Sequence, residues 1–205
     1  MSVSREVFES VRERWGRYAS WAVWELPIED EAPKARIGSL ECFDLEQNPS
    51  LLDVLTSEVV MIGLNASSRA VSGEAWFGFH DPSPRANDFK IRFAFRNTPF
   101  WGAYMTDVFY NLHETDSRIV SDSMKAAPAE VKEHLDRLER ELDDLGARDP
   151  LLIVFGGEAH RHVSERFGAR HSIVQVPHFS NYISKEKYRA KVLKALGVSE
   201  LEVQP

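Results

Sequence analysis

The chain has 205 residues, 43% hydrophobic and 28% charged, with a formal net charge of −7. That length suits one ordinary domain around one core, and the composition excludes a disordered chain. The acidic balance argues against a surface that binds nucleic acid everywhere but leaves room for a basic cleft. The single cysteine, Cys42, excludes an intramolecular disulfide and a cysteine-ligated zinc or iron–sulfur site.

No apolar run approaches the roughly 18 residues of a membrane span. The first residues continue into a charged amphipathic stretch without the apolar segment of a signal peptide. The expected compartment is the cytoplasm, with no membrane partner.

Residues 4–15 read as an amphipathic helix, with Val7, Val11 and Trp15 on one face. Trp15, Trp21 and Trp24 are expected to pack this segment onto the body. Residues 27–33 are acidic and irregular, and Asn48-Pro49 signals a short helix over residues 50–55. Residues 58–65 form the first buried strand, a β-branched and apolar run stopped by glycine and asparagine. A long irregular stretch, residues 67–97, carries Gly73, Gly78, Pro82 and Pro84; loops of that length usually serve a function. Within it Arg85, Lys90, Arg92 and Arg96 interleave with Phe89, Phe93 and Phe95. That pattern fits either a basic patch or a half-buried strand.

Residues 103–109 read as the second strand. Residues 129–145 make the clearest helix, with Val131, Leu135, Leu138, Leu142 and Leu145 in one stripe and Gly146 as its stop. A strand over 150–155, a glycine turn, a helix over 158–167, a strand over 172–176 and a helix over 185–196 complete the chain. The last helix carries a second cationic set, Lys185, Lys187, Arg189, Lys191 and Lys194, which reads as a solvated face.

Strands alternating with helices imply βαβ units and a mainly parallel sheet of about four strands in a three-layer α/β/α domain. The whole chain, 1–205, reads as one domain, with an N-terminal helical segment over about 4–55 and a core over about 57–197. Ligands of such sheets bind beyond the carboxyl ends of the strands, so polar residues at those ends carry the functional argument.

Three strand ends stand out. The first is Gly63-Leu64-Asn65-Ala66-Ser67: glycine permits close backbone approach, and asparagine offers both a donor and an acceptor. It lacks the lysine and spacing of a phosphate-binding loop, and Gly156-Gly157 lacks the dinucleotide-binding spacing. The second strand holds Thr106-Asp107 inside an apolar run, where a carboxylate is costly unless paired or wet. The last ends in Pro177-His178-Phe179-Ser180. His80, His160 and His162 read as bystanders; His160 and His162 are two apart on a predicted helix and share no face for a metal.

Asn65, Asp107 and His178, in that order on those strand ends, resemble the uracil-DNA glycosylase superfamily. Gly63-Leu64-Asn65-Ala66 is similar to that family's first motif, of the type Gly-x-Asp/Asn-Pro, and closest to the mismatch-specific uracil/thymine branch with Asn at this place. His178-Phe179-Ser180 resembles its His-Pro-Ser motif, residues 103–107 its base-reading strand, and residues 152–156 its third core strand. Three features depart from the pattern. Ala66 and Phe179 replace the two prolines, Asp107 stands where an amide reads the base, and the single cysteine excludes the iron–sulfur branches.

The resemblance implies a monomeric, metal-independent DNA glycosylase without cofactor. Its partner is single- or double-stranded DNA carrying a damaged or mismatched base, which is flipped out and hydrolysed at its N-glycosidic bond. It implies that His178 donates to the departing base and that Asn65 positions water. Gly63, Leu64 and Asp107 then contact the base, and Phe77 or Phe79, with Phe77 placed first, stacks on it. Ser67 and Ser180 hold phosphates, and Tyr182 wedges into the duplex. Two alternatives stay open: a catalytically inactive glycosylase-like module that binds nucleic acid or a nucleotide, and an unrelated flavodoxin-like hydrolase using Asp107 and His178.

Overall fold

A computed structural model describes residues 3–65, 73–110, 112 and 117–199. Ser4 begins α1 (Arg5–Trp15) by accepting from the Val7 N–H at 3.2 Å. The helix buries Phe8 and Val11, with Val7 and Trp15 at the margin of the core. A two-residue strand, β1 (Ser20–Trp21), follows, then a single 3-10 turn at Glu41–Phe43 and the short α2 (Leu51–Val54). The core elements are β2 (Thr56–Asn65), α3 (Asp88–Phe95), β3 (Ala103–Phe109), α4 (Ser117–Ala126), α5 (Pro128–Asp144), β4 (Leu151–Phe155), α6 (Gly157–Phe167), β5 (Ile173–Val176) and α7 (Lys185–Leu196).

The sheet has five strands in the order β1-β3-β2-β4-β5. The four long strands are parallel, as the alternation of strands and helices implies; β1 adds an antiparallel edge to β3. Two residues are too few to show a strand period, which is why β1 has no sequence signature.

Successive residues on each strand face opposite ways, so each face of the sheet has its own core. Val60, Ile62, Tyr104, Leu152 and Val154 pack with residues of α1, α5 and α6. Met61, Met105, Ile153, Phe155 and Val176 pack with residues of α3 and α7. Trp21 and Trp24 are buried, one in each core.

The stretch expected to be irregular between residues 67 and 97 contains α3. Asp88, Ile91, Arg92 and Phe95 recur at helical spacing and are buried. The cations of that stretch therefore do not form an open basic patch: Lys90 is 6% exposed and Arg92 3%. The Arg92 guanidinium donates to the carbonyls of Glu25 at 2.6 Å, Pro33 at 2.6 Å and Ala35 at 2.9 Å, tying the segment after β1 to α3.

On α7, Lys187, Lys191 and Lys194 are exposed, as a solvated face requires. Arg189 instead donates to Phe93, Ala94 and Arg96 carbonyls at the end of α3. Among the described residues no helix is long and apolar enough to cross a membrane.

From β2 the chain passes to β3 on one side, and from β4 it passes to β5 on the other. Such a reversal leaves a crevice beyond the carboxyl ends of the two diverging strands, here β2 and β4.

Candidate functional site

Register places Gly63 of β2 opposite Asp107 of β3 and Asn65 opposite Phe109. A Cβ at Gly63 would collide with Asp107 Oδ1, so glycine is what leaves room for the carboxyl there; Phe79 Cε1, 3.5 Å from the same Cβ position, lies in ordinary contact range. Phe79 has φ +63° and Trp76 φ +69°. A bulky side chain held in the left-handed region stores strain, and such strain concentrates where a side chain must be aimed.

Surrounding bonds hold the turn that carries both residues. The Trp76 N–H donates to the Gly16 carbonyl at 2.7 Å. The fully buried His80 ring sits 2.8 Å from the Gly78 carbonyl and 2.9 Å from that of Val23. Burial pushes His80 down to about 4, so the ring is neutral and donates to one of the two. His80 thus stands in a structural place.

His178 follows β5 and lies against the end of β4. A Cβ on Gly156, at φ +84°, would approach His178 Cβ to 3.3 Å. Phe179 stacks on His178 at 4.4 Å between centroids and meets Phe155 edge-on at 5.5 Å and Phe79 at 6.4 Å. The ring in the place of a motif proline therefore packs the histidine loop onto the sheet and onto the Phe79 turn.

Backbone geometry assigns the His178 tautomer. The Ser180 N–H donates to Nδ1 at 3.1 Å, and the Ser180 hydroxyl lies 2.7 Å from the same atom. Desolvation pushes the imidazole down to about 4, so at neutral pH it is uncharged with its proton on Nε2. Nε2 makes no hydrogen bond among the described residues.

Asn65 ends β2 half-buried, with Nδ2 donating to the Leu112 carbonyl at 2.9 Å. Because β4 separates β2 from β5, the ends carrying Asn65 and His178 are about 10 Å apart at ~4.8 Å per strand.

The remaining sequence candidates divide. Leu64 faces the opposite core, with α1, α5 and α6. Phe77 is half-buried in the turn two residues before Phe79, and Phe79 is the ring that reaches Gly63 and Phe179. Ser180 is exposed beside His178, and Tyr182 is fully exposed on the same loop. Ser67 lies outside the described residues, as does Ala66.

Asp107 is 6% exposed, and its carboxyl oxygens accept no hydrogen bond among the described residues. Desolvation raises it to about 7; Arg137 opposes the shift, while Asp88 and Glu141 add to it.

Several residues with a part in this edge escape a sequence reading. Lys90 Nζ donates to the Asn181 carbonyl at 2.9 Å and so ties the His178 loop to α3. Desolvation is the main influence lowering its ammonium, with Lys34 adding to it. On the other face of β3, Arg137 pairs with Glu141 and donates to the carbonyls of Asp107 and Val108. Tyr104 completes that set by donating to Glu141 at 2.7 Å. The available signal was that His134, Arg137 and Glu141 flank the apolar stripe of α5 at spacings of three and four.

These observations define a class: an α/β protein with a mostly parallel, helix-flanked sheet that gathers an amide, a carboxyl, an imidazole and an aromatic ring at its carboxyl edge. No family model, curated protein or solved structure matches the chain. Among the described residues, no group of three or more His, Cys, Asp or Glu side chains is placed to hold a metal ion.

Proposed function

We propose that the protein is a DNA base glycosylase of the uracil-DNA glycosylase type, hydrolysing the N-glycosidic bond of a flipped-out uracil or related damaged or mismatched base. The observation that carries this reading is the His178 tautomer. A neutral imidazole whose Nδ1 is occupied by the Ser180 N–H keeps an Nε2–H for a ligand. Negative charge developing on a departing base is what such a fixed donor stabilises most.

In the reaction the C1′–N bond breaks with its electron pair passing to the base, and a water oxygen bonds to C1′. The water gives up a proton, through solvent, to the released base. His178 Nε2–H donates to the base as it becomes anionic. Asn65 cannot take that proton, since an amide is not basic at neutral pH. Anchored by its Nδ2 bond to the Leu112 carbonyl, the amide is the group suited to orient the water. Phe79 supplies the stacking face and Asp107 the contact to the base edge. Tyr182, wholly exposed, stands ready to fill the gap left in the duplex.

The second reading, a module that binds a nucleotide without cleaving it, draws on the same Asn65–Leu112 bond, since that bond gives the amide a structural task. One experiment separates the two. Single- and double-stranded oligonucleotides carrying uracil, mismatched thymine, hypoxanthine or alkylated bases are incubated with the protein and treated with hot alkali. Scission at the modified base should fall about 10²–10³-fold in His178→Ala, the usual cost of removing one oxyanion donor, and should also fall in Asn65→Ala. Binding without scission selects the module, and neither binding nor scission rules out both.

A further inference from the structure

Asp107 is the group at this edge whose chemistry is least settled by its protein neighbours. Gly63 of β2 gives it room, the Phe79 ring lies against the same glycine, and its two oxygens accept no hydrogen bond among the described residues. A carboxyl more than nine-tenths buried is costly to leave unsatisfied. The missing partner is most simply a ligand, entering on the side of Gly63 where the Phe79 ring lies.

Resting on the glycosylase reading above, we propose that Asp107 is the specificity-determining residue and that the proton on its carboxyl selects the class of base. A neutral carboxylic acid offers one O–H donor beside one carbonyl acceptor. That set is complementary to a base edge with a ring N–H next to a carbonyl, as in uracil, thymine or hypoxanthine. An ionised carboxylate offers two acceptors, complementary to an edge with two adjacent N–H groups, as in guanine. The same side chain thus reads two edges, one in each protonation state.

The groups facing Asp107 set that state near neutrality. On its own face, β2 contributes Gly63, which carries no charge, and α3 contributes Asp88, whose charge disfavours ionisation. From α5, Arg137 favours ionisation and Glu141 opposes it. Burial outweighs all three and raises the carboxyl to about 7. An amide in this place would read the first edge at every pH; the carboxyl makes the reading conditional.

The test measures equilibrium binding of deoxyuridine and deoxyguanosine to the full chain between pH 5.5 and 9, with excision assayed in parallel. Deoxyuridine affinity should be level below about pH 7 and fall about tenfold per pH unit above it, while deoxyguanosine affinity changes in the opposite sense. Asp107→Asn should bind deoxyuridine with a flat profile. A wild-type profile that is flat, or one that Asp107→Asn reproduces, overturns the proton-gated reading while leaving excision, if present, intact. Failure of the wild type to bind either nucleoside or to cleave overturns the glycosylase reading as well. A carboxyl ¹³C titration of the wild-type chain gives a check independent of the variant's folding. A midpoint near 7 for Asp107 supports the inference, and one near 4 overturns it.

Discussion

On the face of β3 turned toward α5, Arg137, Glu141 and Tyr104 bond to one another, with the buried Arg137 Nε the one guanidinium nitrogen left without a partner among the described residues. The guanidinium pairs with Glu141 and reaches two strand carbonyls, and the phenol donates to the same carboxylate. On the face turned toward α3 the pairing is uneven: Arg92 donates to three carbonyls and Asp88 accepts from the Asp81 N–H, while Asp107 and Lys90 are left with little. The Asp107 carboxyl accepts no hydrogen bond among the described residues, and Lys90 has one carbonyl acceptor, on Asn181. Both faces bury charge, but the first holds an ion pair where the second leaves Asp107 and Lys90 thinly partnered within the protein. A compensated set locks the strand in place, whereas an uncompensated one remains available to something from outside.

The contrast is broken most severely at Arg137. Arg137→Met leaves Glu141, which is fully buried, without its counter-charge and with only the Tyr104 hydroxyl as donor, and removes the guanidinium from the Asp107 and Val108 carbonyls. Removing one member of a buried pair costs about 3–5 kcal/mol. Urea denaturation should show a loss of that size, and a double variant with Glu141 also made apolar should recover most of it. A loss below about 1 kcal/mol would show that the pair contributes little to holding β3.

Asp107→Asn tests the opposite face and should act in the opposite direction. The folded carboxyl titrates near 7 against an ordinary value of 3.8, so between those values the folded state holds a proton that the unfolded chain has lost. Wild-type stability from this group therefore falls as pH rises through that window and levels off above it. The full shift corresponds to at most about 4 kcal/mol. Stability of Asp107→Asn relative to wild type should accordingly rise from pH 4 to pH 7, read as the difference between denaturation midpoints. A constant difference across that range would mean that Asp107 is ionised in the native protein. His178 and His80, both pushed down to about 4, bias the absolute curve the other way between 4 and 6.5, which is why the difference is the quantity to measure.

The unequal legibility of the two faces in the sequence has a physical origin. Strands β2 to β5 and helices α5 and α7 show themselves through local period: β-branched runs, a leucine stripe, a serine that caps and a glycine that stops. Asn65, Asp107 and His178 stood out because each is polar at a place where the pattern demands apolar residues or a chain reversal. Helix α3 did not, since its phenylalanines alternate as a strand's would and glycines and prolines precede it. The choice of Phe79 over Phe77 at Gly63 depends on a left-handed turn that no propensity specifies. The Lys90–Asn181 bond spans 91 residues, a separation at which only the folded topology brings partners together. Local periodicity exposes what the chain does with itself; the fold alone shows which distant groups share a burial.

Lys90 offers the smallest and most discriminating change. Its ammonium is 6% exposed, desolvation and Lys34 both disfavour its charge, and the Asn181 carbonyl is its hydrogen-bond acceptor. Lys90→Met removes that bond, worth about 1 kcal/mol, but also removes the cost of burying the charge. The two effects oppose each other, so global stability should change by less than about 1 kcal/mol. Locally they do not cancel: without the tether at Asn181, the loop from His178 to Tyr182 loses its link to α3. Amide hydrogen exchange should accelerate in residues 178–183 and remain unchanged in β2 and β3. Unaltered exchange in that loop would assign the anchoring of His178 to Phe179 and Gly156 alone. A large loss of global stability would instead place Lys90 with Arg137, among the charges the fold needs for itself.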